Sequence, residues 1–303
     1  MKKIGVVLYL LFATAFTPIA AKFVVNEIPP LTLAFFRFGI ANILLIITLL
    51  IRRPTFKIEK KHYFWFFWLG ILVIPLNQFF FMKGISYSSA SHSGVIYSCT
   101  PLFAYLIAII RKNEVFNLKK LLIISLTIIG IIIIFYENLK STVLVNKDII
   151  KGDVLLVFAV LSWAMYLSFS KELVEKYGAL VTSTIAFSIG NILYLPIFFS
   201  DVKNFDPSRI TTLGVLGFIH LTILVAFGSY FIFSYSTKVI PVSTLTTFLN
   251  SSPIITVFFS YLLLNESLTV LFLIGAMVTI SGVYLSQLFF RKETKKEEII
   301  IIE

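Results

Sequence analysis

Ten long apolar runs follow one another along this 303-residue chain, with only short connections between them. Most are about 17–25 residues long, the length at which a helix crosses about 30 Å of hydrocarbon. The runs are continuously apolar, unlike the alternating strands of a membrane barrel, and 58% of all residues are hydrophobic. The sequence therefore predicts an all-α integral membrane protein. The runs cover residues 4–21, 31–51, 63–82, 90–110, 121–136, 154–170, 180–199, 211–235, 241–264 and 270–290.

A repeat divides the ten runs into two sets of five. A proline inside a run, a carboxylate just after it and a glycine in the next run recur at an offset of 152 residues, as Pro101 and Pro253, Glu114 and Glu266, and Gly130 and Gly282. Because five is odd, two consecutive five-span units must enter the bilayer in opposite directions. The predicted fold is therefore ten transmembrane helices in two inverted five-helix repeats, residues 1–139 and 140–290, followed by a charged cytoplasmic tail, 291–303.

The basic residues are unevenly distributed between the connections. With the amino terminus inside, 18 of the 26 Lys and Arg residues fall on the cytoplasmic side. This excess predicts a protein of the cytoplasmic membrane with both termini in the cytoplasm. The same topology explains the net charge of +11, and no basic folded surface is expected that would bind a nucleic acid. The single cysteine, Cys99, excludes an internal disulfide and is expected to be a packing residue.

The carboxylates are predicted to avoid the middle of the membrane. All 15 Asp and Glu residues lie in predicted loops, at the ends of runs or in the tail. Proton-coupled carriers commonly place a carboxylate inside a span, so this distribution predicts a facilitator or exchanger and not a proton antiporter. Glu114 and Glu266 just precede the fifth and tenth helices, and we expect each to stabilise the positively polarised start of that helix.

Three stretches together resemble one family. The fourth run contains Ala90-Ser91 and Pro101-Leu102, Gly152-Asp153 leads into the sixth run, which contains Trp163, and the tenth run follows Asn265-Glu266. In their order and spacing these stretches resemble the EamA-type ten-helix transporters of the drug/metabolite transporter superfamily. The first run departs from the pattern, because it has Ala13-Thr14-Ala15-Phe16 where the family often has a Trp-Gly pair. The resemblance implies two five-helix repeats, a central cavity and movement of small metabolites, often amino acids, by alternating access.

Arg37 is the permanent charge that lies well inside a predicted run. An isolated arginine at that depth costs several kcal/mol unless it is paired or hydrated. It either snorkels or binds carbonyl groups at helix ends, which is a structural role, or it faces the pathway and favours carboxylates. Its counterpart in the repeat is Ser188, so the second half does not duplicate the charge.

Other polar and aromatic residues in the runs are candidates for substrate contact. Each also has a structural interpretation, because such side chains hydrogen bond and pack between membrane helices. Trp163 and Tyr166 share one helix face and suit stacking on an aromatic or cationic solute. Pro101 and Pro253 are expected to kink equivalent helices. The candidates for substrate binding are Asn77, Gln78, His92, Tyr97, Trp163, Tyr166, His220, Tyr230 and Asn250.

These features predict a secondary transporter of a small polar, amino-acid-like metabolite that works by export or facilitated exchange. The alternative is an uptake carrier for a cationic amine or another drug-like solute, with Trp163 and Tyr97 as an aromatic cage. A membrane-embedded transferase would need a metal cluster, paired carboxylates or a nucleophile with its base, so no enzyme is expected. The expected partners are the substrate and the lipid bilayer, without cofactor or metal. The oligomeric state is left open, and a monomer is compatible with the prediction.

Overall fold

A computed structural model of the chain describes residues 2–112, 116–140, 147–229, 232, 249 and 251–285. Over these residues the backbone forms helices and short connections, without β-strands. Ten helices can be followed over ten or more consecutive described residues. They are α1 Lys2–Val24, α2 Pro30–Arg52, α3 Lys60–Tyr87, α4 Ala90–Ile110, α5 Leu118–Lys140, α6 Lys147–Tyr177, α7 Ala179–Asp201, α8 Thr212–Gly228, α9 Ser252–Leu264 and α10 Val270–Leu285.

Six of these helices are long and apolar enough to cross a membrane, namely α1, α2, α3, α4, α6 and α7. Shorter apolar helices lie in α5, α8, α9 and α10. The prediction of an all-helical integral membrane protein is thus in agreement with the structure. The predicted boundary 154–170 is wrong, because α6 begins at Lys147 and ends only at Tyr177.

Three helices depart from regular α-helical geometry. In α3 the segment Leu72–Leu76 is π-helical and contains Pro75, which lacks the N–H that a regular helix would use. In α8 the segment His220–Gly228 is also π-helical. In α4 a turn separates the segment Ala90–Tyr97 from the segment Thr100–Ile110. Such irregularities concentrate at functional sites, and in a membrane they occur where other groups satisfy the backbone.

The apolar side chains face both inward and outward. On α2 the buried residues Ala34, Phe38, Ala41 and Leu45 recur every three or four positions and form the stripe that packs against other helices. The opposite face of α2 exposes further large apolar residues, as a helix in contact with lipid requires. They are Ile40, Ile43, Ile47, Leu50 and Ile51.

Polar contacts define the two ends of the bundle. At one end, Lys22 near the end of α1 donates to the Ser88 carbonyl after α3, and Asp201 at the end of α7 accepts from the start of α2. We call this the acidic end, because the carboxylates of Glu27, Asp153, Asp201 and Glu266 make their contacts there. At the opposite, basic end, Arg111 of α4 pairs with Glu172 of α6.

Helices α5 and α10 approach each other at two related glycines. A Cβ atom added to Gly130 would lie 2.6 Å from the Thr279 backbone nitrogen, and one added to Gly282 would lie 2.9 Å from the Thr127 backbone nitrogen. Both pairs, Gly130 with Gly282 and Thr127 with Thr279, are separated by the same 152 residues as the sequence repeat. The glycines therefore occupy equivalent positions, and each allows the other helix to approach closely.

Candidate functional site

Arg37 lies inside the bundle and is almost fully buried, with 4% of its surface exposed. Its Nε donates to the Leu221 carbonyl in the π-helical segment of α8 at 2.9 Å, whereas its Nη1 has no hydrogen-bond partner in the structure. The predicted carbonyl interaction is therefore present, but it lies within α8 and not at a helix end. It leaves part of the guanidinium available to another group.

Two amide side chains continue this polar region on α3, directly after the π-helical segment. Asn77 donates from Nδ2 to the Ala159 carbonyl of α6 at 2.8 Å and to the Tyr97 hydroxyl of α4 at 3.3 Å. Gln78 donates to the Asn77 side-chain oxygen, while its own Oε1 is buried without a partner. Tyr97 is also close enough to Arg37 for an electrostatic interaction, so three predicted candidates and the arginine form one group.

His220 joins the same group from α8. Its ring interacts with the Ala13 backbone of α1 and lies within electrostatic range of Arg37. The buried Nε2 of His220 has no hydrogen-bond partner, and neither does Oγ1 of Thr222. Residue Thr222 was not among the predicted candidates, because threonine is common in apolar helices and gives no distinct signal. We call Arg37, Asn77, Gln78, Tyr97 and His220 the central polar cluster.

The central polar cluster lies at a common depth. Each member lies 7–10 residues from the terminus of its helix at the acidic end, which is about 10–15 Å at a rise of 1.5 Å per residue. A buried polar atom without a partner costs about 1–3 kcal/mol. Three such atoms, on Arg37, Gln78 and His220, lie in this cluster, and a fourth is on Thr222, two residues from His220. Their concentration is typical of a binding site whose partner is a ligand.

A cavity of about 540 Å³ between α1 and α8 reaches this cluster. Its lining follows α1 from Gly5, near the basic end, to Phe16, and it includes His220 of the cluster. Apart from Tyr9 and His220 the lining residues are apolar or glycine, and Tyr9 donates its hydroxyl to the Leu224 carbonyl at 2.6 Å. The cavity is open to the surface of the bundle, runs along α1 and touches the central polar cluster at His220.

The aromatic candidates on α6 contact each other. Trp163 and Tyr166 stack with ring centroids 5.3 Å apart and an interplanar angle of 20°. Tyr166 is buried and also interacts with Ser183 of α7. Trp163 lies one helical turn beyond Ala159, the residue whose carbonyl binds Asn77. The pair thus borders the central polar cluster, with one face of each ring already covered by the other.

His92 is not part of the central polar cluster. It lies at the acidic end, where its Nδ1 is 2.9 Å from Oδ2 of Asp153 and its ring stacks on Phe272 with centroids 5.0 Å apart. Asp153 is fully buried and also accepts a hydrogen bond from the Ser88 hydroxyl. Helix α6 begins six residues before Asp153, at Lys147, so this carboxylate lies within the helix, near the acidic end and not at its middle.

The role predicted for Glu266 requires a correction. Its carboxylate accepts hydrogen bonds from the backbone N–H groups of Ala90 and Ser91 at 2.6 and 3.0 Å, and from the Ser91 hydroxyl at 2.6 Å. Glu266 therefore caps the start of α4 and not the start of α10. Its counterpart in the repeat, Glu114, lies outside the described residues.

Two other carboxylates also cap helices that are distant in sequence. Asp201 accepts hydrogen bonds from the backbone N–H groups of Leu31 and Thr32 at the start of α2, both at 2.9 Å. Glu27, after α1, accepts from the Thr211 N–H and hydroxyl at the start of α8. The four unpaired N–H groups at a helix start favour such carboxylates. These contacts connect helices that the sequence separates by more than 160 residues.

The two candidate kink residues stand at the start of helical segments. Pro101 lies in the first turn of the second segment of α4, just after the turn at Ser98 and Cys99. Pro253 lies in the first turn of α9, after a turn at Ser251. Tyr230 and Asn250, the remaining candidates for substrate contact, lie outside the described residues.

Comparison with known proteins agrees with this architecture. The sequence model of the EamA-like transporter family matches residues 1–136 and 150–288. An uncharacterized transporter of Archaeoglobus fulgidus is 25% identical over 269 residues, which cover 88% of this chain and 90% of the relative. The uncharacterized transporter YyaM of Bacillus subtilis is 26% identical over 289 residues, which cover 93% of each chain.

The fold is also found among solved structures. One crystal structure superposes with a TM-score of 0.60 at 12% sequence identity, over 95% of this chain and 98% of that chain. The family and these relatives are transporters and not enzymes. Because the family model covers both halves of the sequence, the protein is a membrane transporter that belongs to the EamA-like transporter family of the drug/metabolite transporter superfamily.

Proposed function

We propose that this protein is a secondary transporter of a small polar metabolite that carries a carboxylate, such as an amino acid, and that it exports or exchanges this metabolite. The observation behind the proposal is the unpaired Nη1 of the buried Arg37. A guanidinium in a low-dielectric site binds carboxylates through charge-assisted hydrogen bonds. The Gln78 Oε1 atom, also unpaired, can accept from an ammonium or hydroxyl group of the same solute.

The charge of the central polar cluster supports an anionic group on the substrate. Its charged member is Arg37, while the carboxylates of Glu27, Asp201 and Glu266 are engaged by helix starts at the acidic end. A solute with a carboxylate would compensate the buried positive charge, whose burial alone is costly. For a cationic amine, the geometry is less suitable, because Trp163 is stacked on Tyr166 and the Tyr97 hydroxyl is bound by Asn77.

We further propose that the two halves, 1–139 and 140–290, are inverted repeats that move relative to each other. Helix α1 packs against α8 and α9, as its counterpart α6 packs against α3 and α4. Shifted by 152 residues, the π-helical segment of α3 falls within the π-helical segment of α8. The two stretches matched by the family model also divide the chain near residue 140. This arrangement supports alternating access around a site between the halves.

The proposed direction follows from the cavity and the charge pattern. The positive-inside rule assigns the basic end, and both termini, to the cytoplasm. The cavity along α1 would then give cytoplasmic access to His220, while the polar contacts of Lys22, Asp153 and Glu266 close the acidic end. We therefore interpret this conformation as one that receives the metabolite from the cytoplasm.

Transport in proteoliposomes tests the proposal. We expect counterflow of at least one amino-acid-like carboxylate from a metabolite panel, and a loss of about tenfold or more in Arg37→Gln, since a charged hydrogen bond contributes about 1.5–3 kcal/mol. Gln78→Glu is expected to inhibit the same flux, because its new carboxylate would compete for Arg37. Arg209→Gln is the control, as Arg209 is exposed and pairs only with the nearby Asp206 among the described residues.

The outcome is read on protein that elutes as a single species from size-exclusion chromatography. Carboxylate flux that persists unchanged in both Arg37→Gln and Gln78→Glu would contradict the proposed site. Saturable uptake of a quaternary amine that is lost in Trp163→Ala would instead support the aromatic-cage alternative.

A further inference from the structure

We propose that the His92–Asp153 pair is a proton-binding site that holds the acidic end of the transporter closed and makes its opening depend on pH. The inference rests on the proposed transport function but concerns a different part of the molecule. The pair joins α4 to α6 near the acidic end, and it is separate from the central polar cluster.

The pair is a buried ionisable contact. Asp153 has no exposed surface, and the side chain of His92 is 11% exposed. The carboxylate is bound on one oxygen by the Ser88 hydroxyl and on the other by the His92 ring. A buried carboxylate is costly unless it is paired, so the protonated imidazole, which carries the compensating charge, stabilises this arrangement most strongly.

Other charged groups surround the pair on the neighbouring elements. Lys22 of α1 binds the carbonyls of Ile85 and Ser88, and it lies within electrostatic range of Glu266. Glu266 itself caps α4 through backbone N–H groups. Lys151, two residues before Asp153 on α6, lies over the Tyr87 ring of α3 at 4.4 Å. Among these groups, His92 is the one whose ordinary titration range lies nearest neutral pH.

The pair is coupled to the substrate region through one short helical segment. His92 lies in the segment Ala90–Tyr97, which ends at Tyr97 of the central polar cluster and is followed by the turn at Ser98 and Cys99. Two carboxylates hold the start of this segment, Glu266 through the backbone and Asp153 through His92. Release of His92 would therefore loosen one of two anchors of the segment that carries Tyr97.

The direction of the pH effect follows from the charge states. At low pH His92 is protonated, the ion pair with Asp153 is intact, and the acidic end is held closed. As the pH rises and His92 loses its proton, the attraction between the cationic imidazole and the Asp153 carboxylate is lost, and opening becomes less costly. Opening at the acidic end is therefore expected to increase with pH, and each opening that exposes the protonated His92 to water can release one proton there.

Labelling of Cys99 offers a readout that does not require transport. Cys99 is the only cysteine of the chain, and it lies fully buried at the turn that follows the His92 segment. In proteoliposomes, we expect its labelling by a membrane-permeant maleimide, corrected for the reagent's own pH dependence with a model thiol, to increase about three- to tenfold as His92 loses its proton. Substrate flux is measured over the same pH series.

Variants of His92 on α4 and of Asp153 on α6 distinguish loss of the pH-dependent contact from general destabilisation of the protein. In His92→Gln and in Asp153→Asn, we expect labelling to be higher at low pH than in the unmodified protein and to lose its pH dependence. The exchanged double variant, with His92→Asp and Asp153→His, is expected to regain part of the dependence. His62→Gln is the control, because His62 interacts with Tyr177 at the basic end.

Two results would overturn the inference. One is labelling that does not change with pH in the unmodified protein, and the other is a pH dependence that survives in His92→Gln. Failure of the substrate proposal is recognised separately, because Cys99 labelling would still respond to pH even if no carboxylate metabolite were transported.

Discussion

Gly130→Leu is expected to prevent α5 and α10 from packing and to give the largest loss of stability among the changes considered. A Cβ atom at this position would lie 2.1 Å from Thr279 Oγ1, 2.5 Å from the Gly275 carbonyl oxygen and 2.6 Å from the Thr279 backbone nitrogen. Overpacking of a well-packed contact costs about 1–3 kcal/mol, and more when the obstructing atoms belong to the backbone and cannot rotate away. Thermal unfolding of purified protein in detergent measures the loss.

The same substitution at Gly5 is the matched control. Gly5 lies in the apolar helix α1, and an added Cβ would meet no atom within 4 Å. We expect Gly5→Leu to unfold at a temperature close to that of the unmodified protein. Adding Thr279→Ala should not rescue Gly130→Leu, because the backbone atoms of Gly275 and Thr279 would remain in the way. A melting temperature for Gly130→Leu equal to that of Gly5→Leu would contradict the packing of α5 against α10.

The helices were predictable because lipid imposes a simple rule on the sequence. In hydrocarbon there is no water to hydrogen bond with the backbone N–H and C=O groups. A single continuous apolar run can pair all of these groups within itself only as a helix. The apolar pattern does not show how far a helix extends beyond its apolar residues. The segment Lys147 to Asp153 was predicted as a connection because four of its seven residues are charged, yet it forms the first two turns of α6. Burial of Asp153 depends on Ser88 and His92, more than 60 residues away, and no local pattern reports it.

The central polar cluster was predictable in part for a similar reason. Arg37, Asn77, Gln78 and His220 stand out because each is polar within an apolar run, where such side chains need partners. Their partners are less visible in the sequence. Arg37 Nε donates a hydrogen bond to the Leu221 carbonyl, which lies in a π-helical segment. This segment contains no proline, so the sequence gives no local sign of the irregularity. The equivalent irregularity of α3 contains Pro75, whose missing N–H is a local property that the sequence does show.

Asp201→Ala is expected to destabilise the start of α2 and, through it, the position of Arg37. Oδ2 of Asp201 accepts hydrogen bonds from the N–H groups of Leu31 and Thr32 at 2.9 Å and from the Thr32 hydroxyl at 3.2 Å. Helix α2 has no side-chain cap at its own start, so these donors would lose their partner. Loss of a charged cap of this kind costs about 2 kcal/mol. Asp201→Asn, which keeps the shape but not the charge, should give a smaller loss.

Asp206 supplies the matched control from the same connection. Its carboxylate also accepts from a backbone N–H, that of Ser208, but it is exposed, and the hydrogen bonds from Ser208 lower the pKa of Asp206. Water can replace an exposed acceptor, so Asp206→Ala is expected to change the unfolding temperature far less than Asp201→Ala does. Because Arg37 lies less than two turns beyond Thr32, Asp201→Ala should also reduce carboxylate flux, whereas Asp206→Ala should not. Equal unfolding temperatures and equal fluxes for the two variants would show that the Asp201 cap does not hold α2 in position.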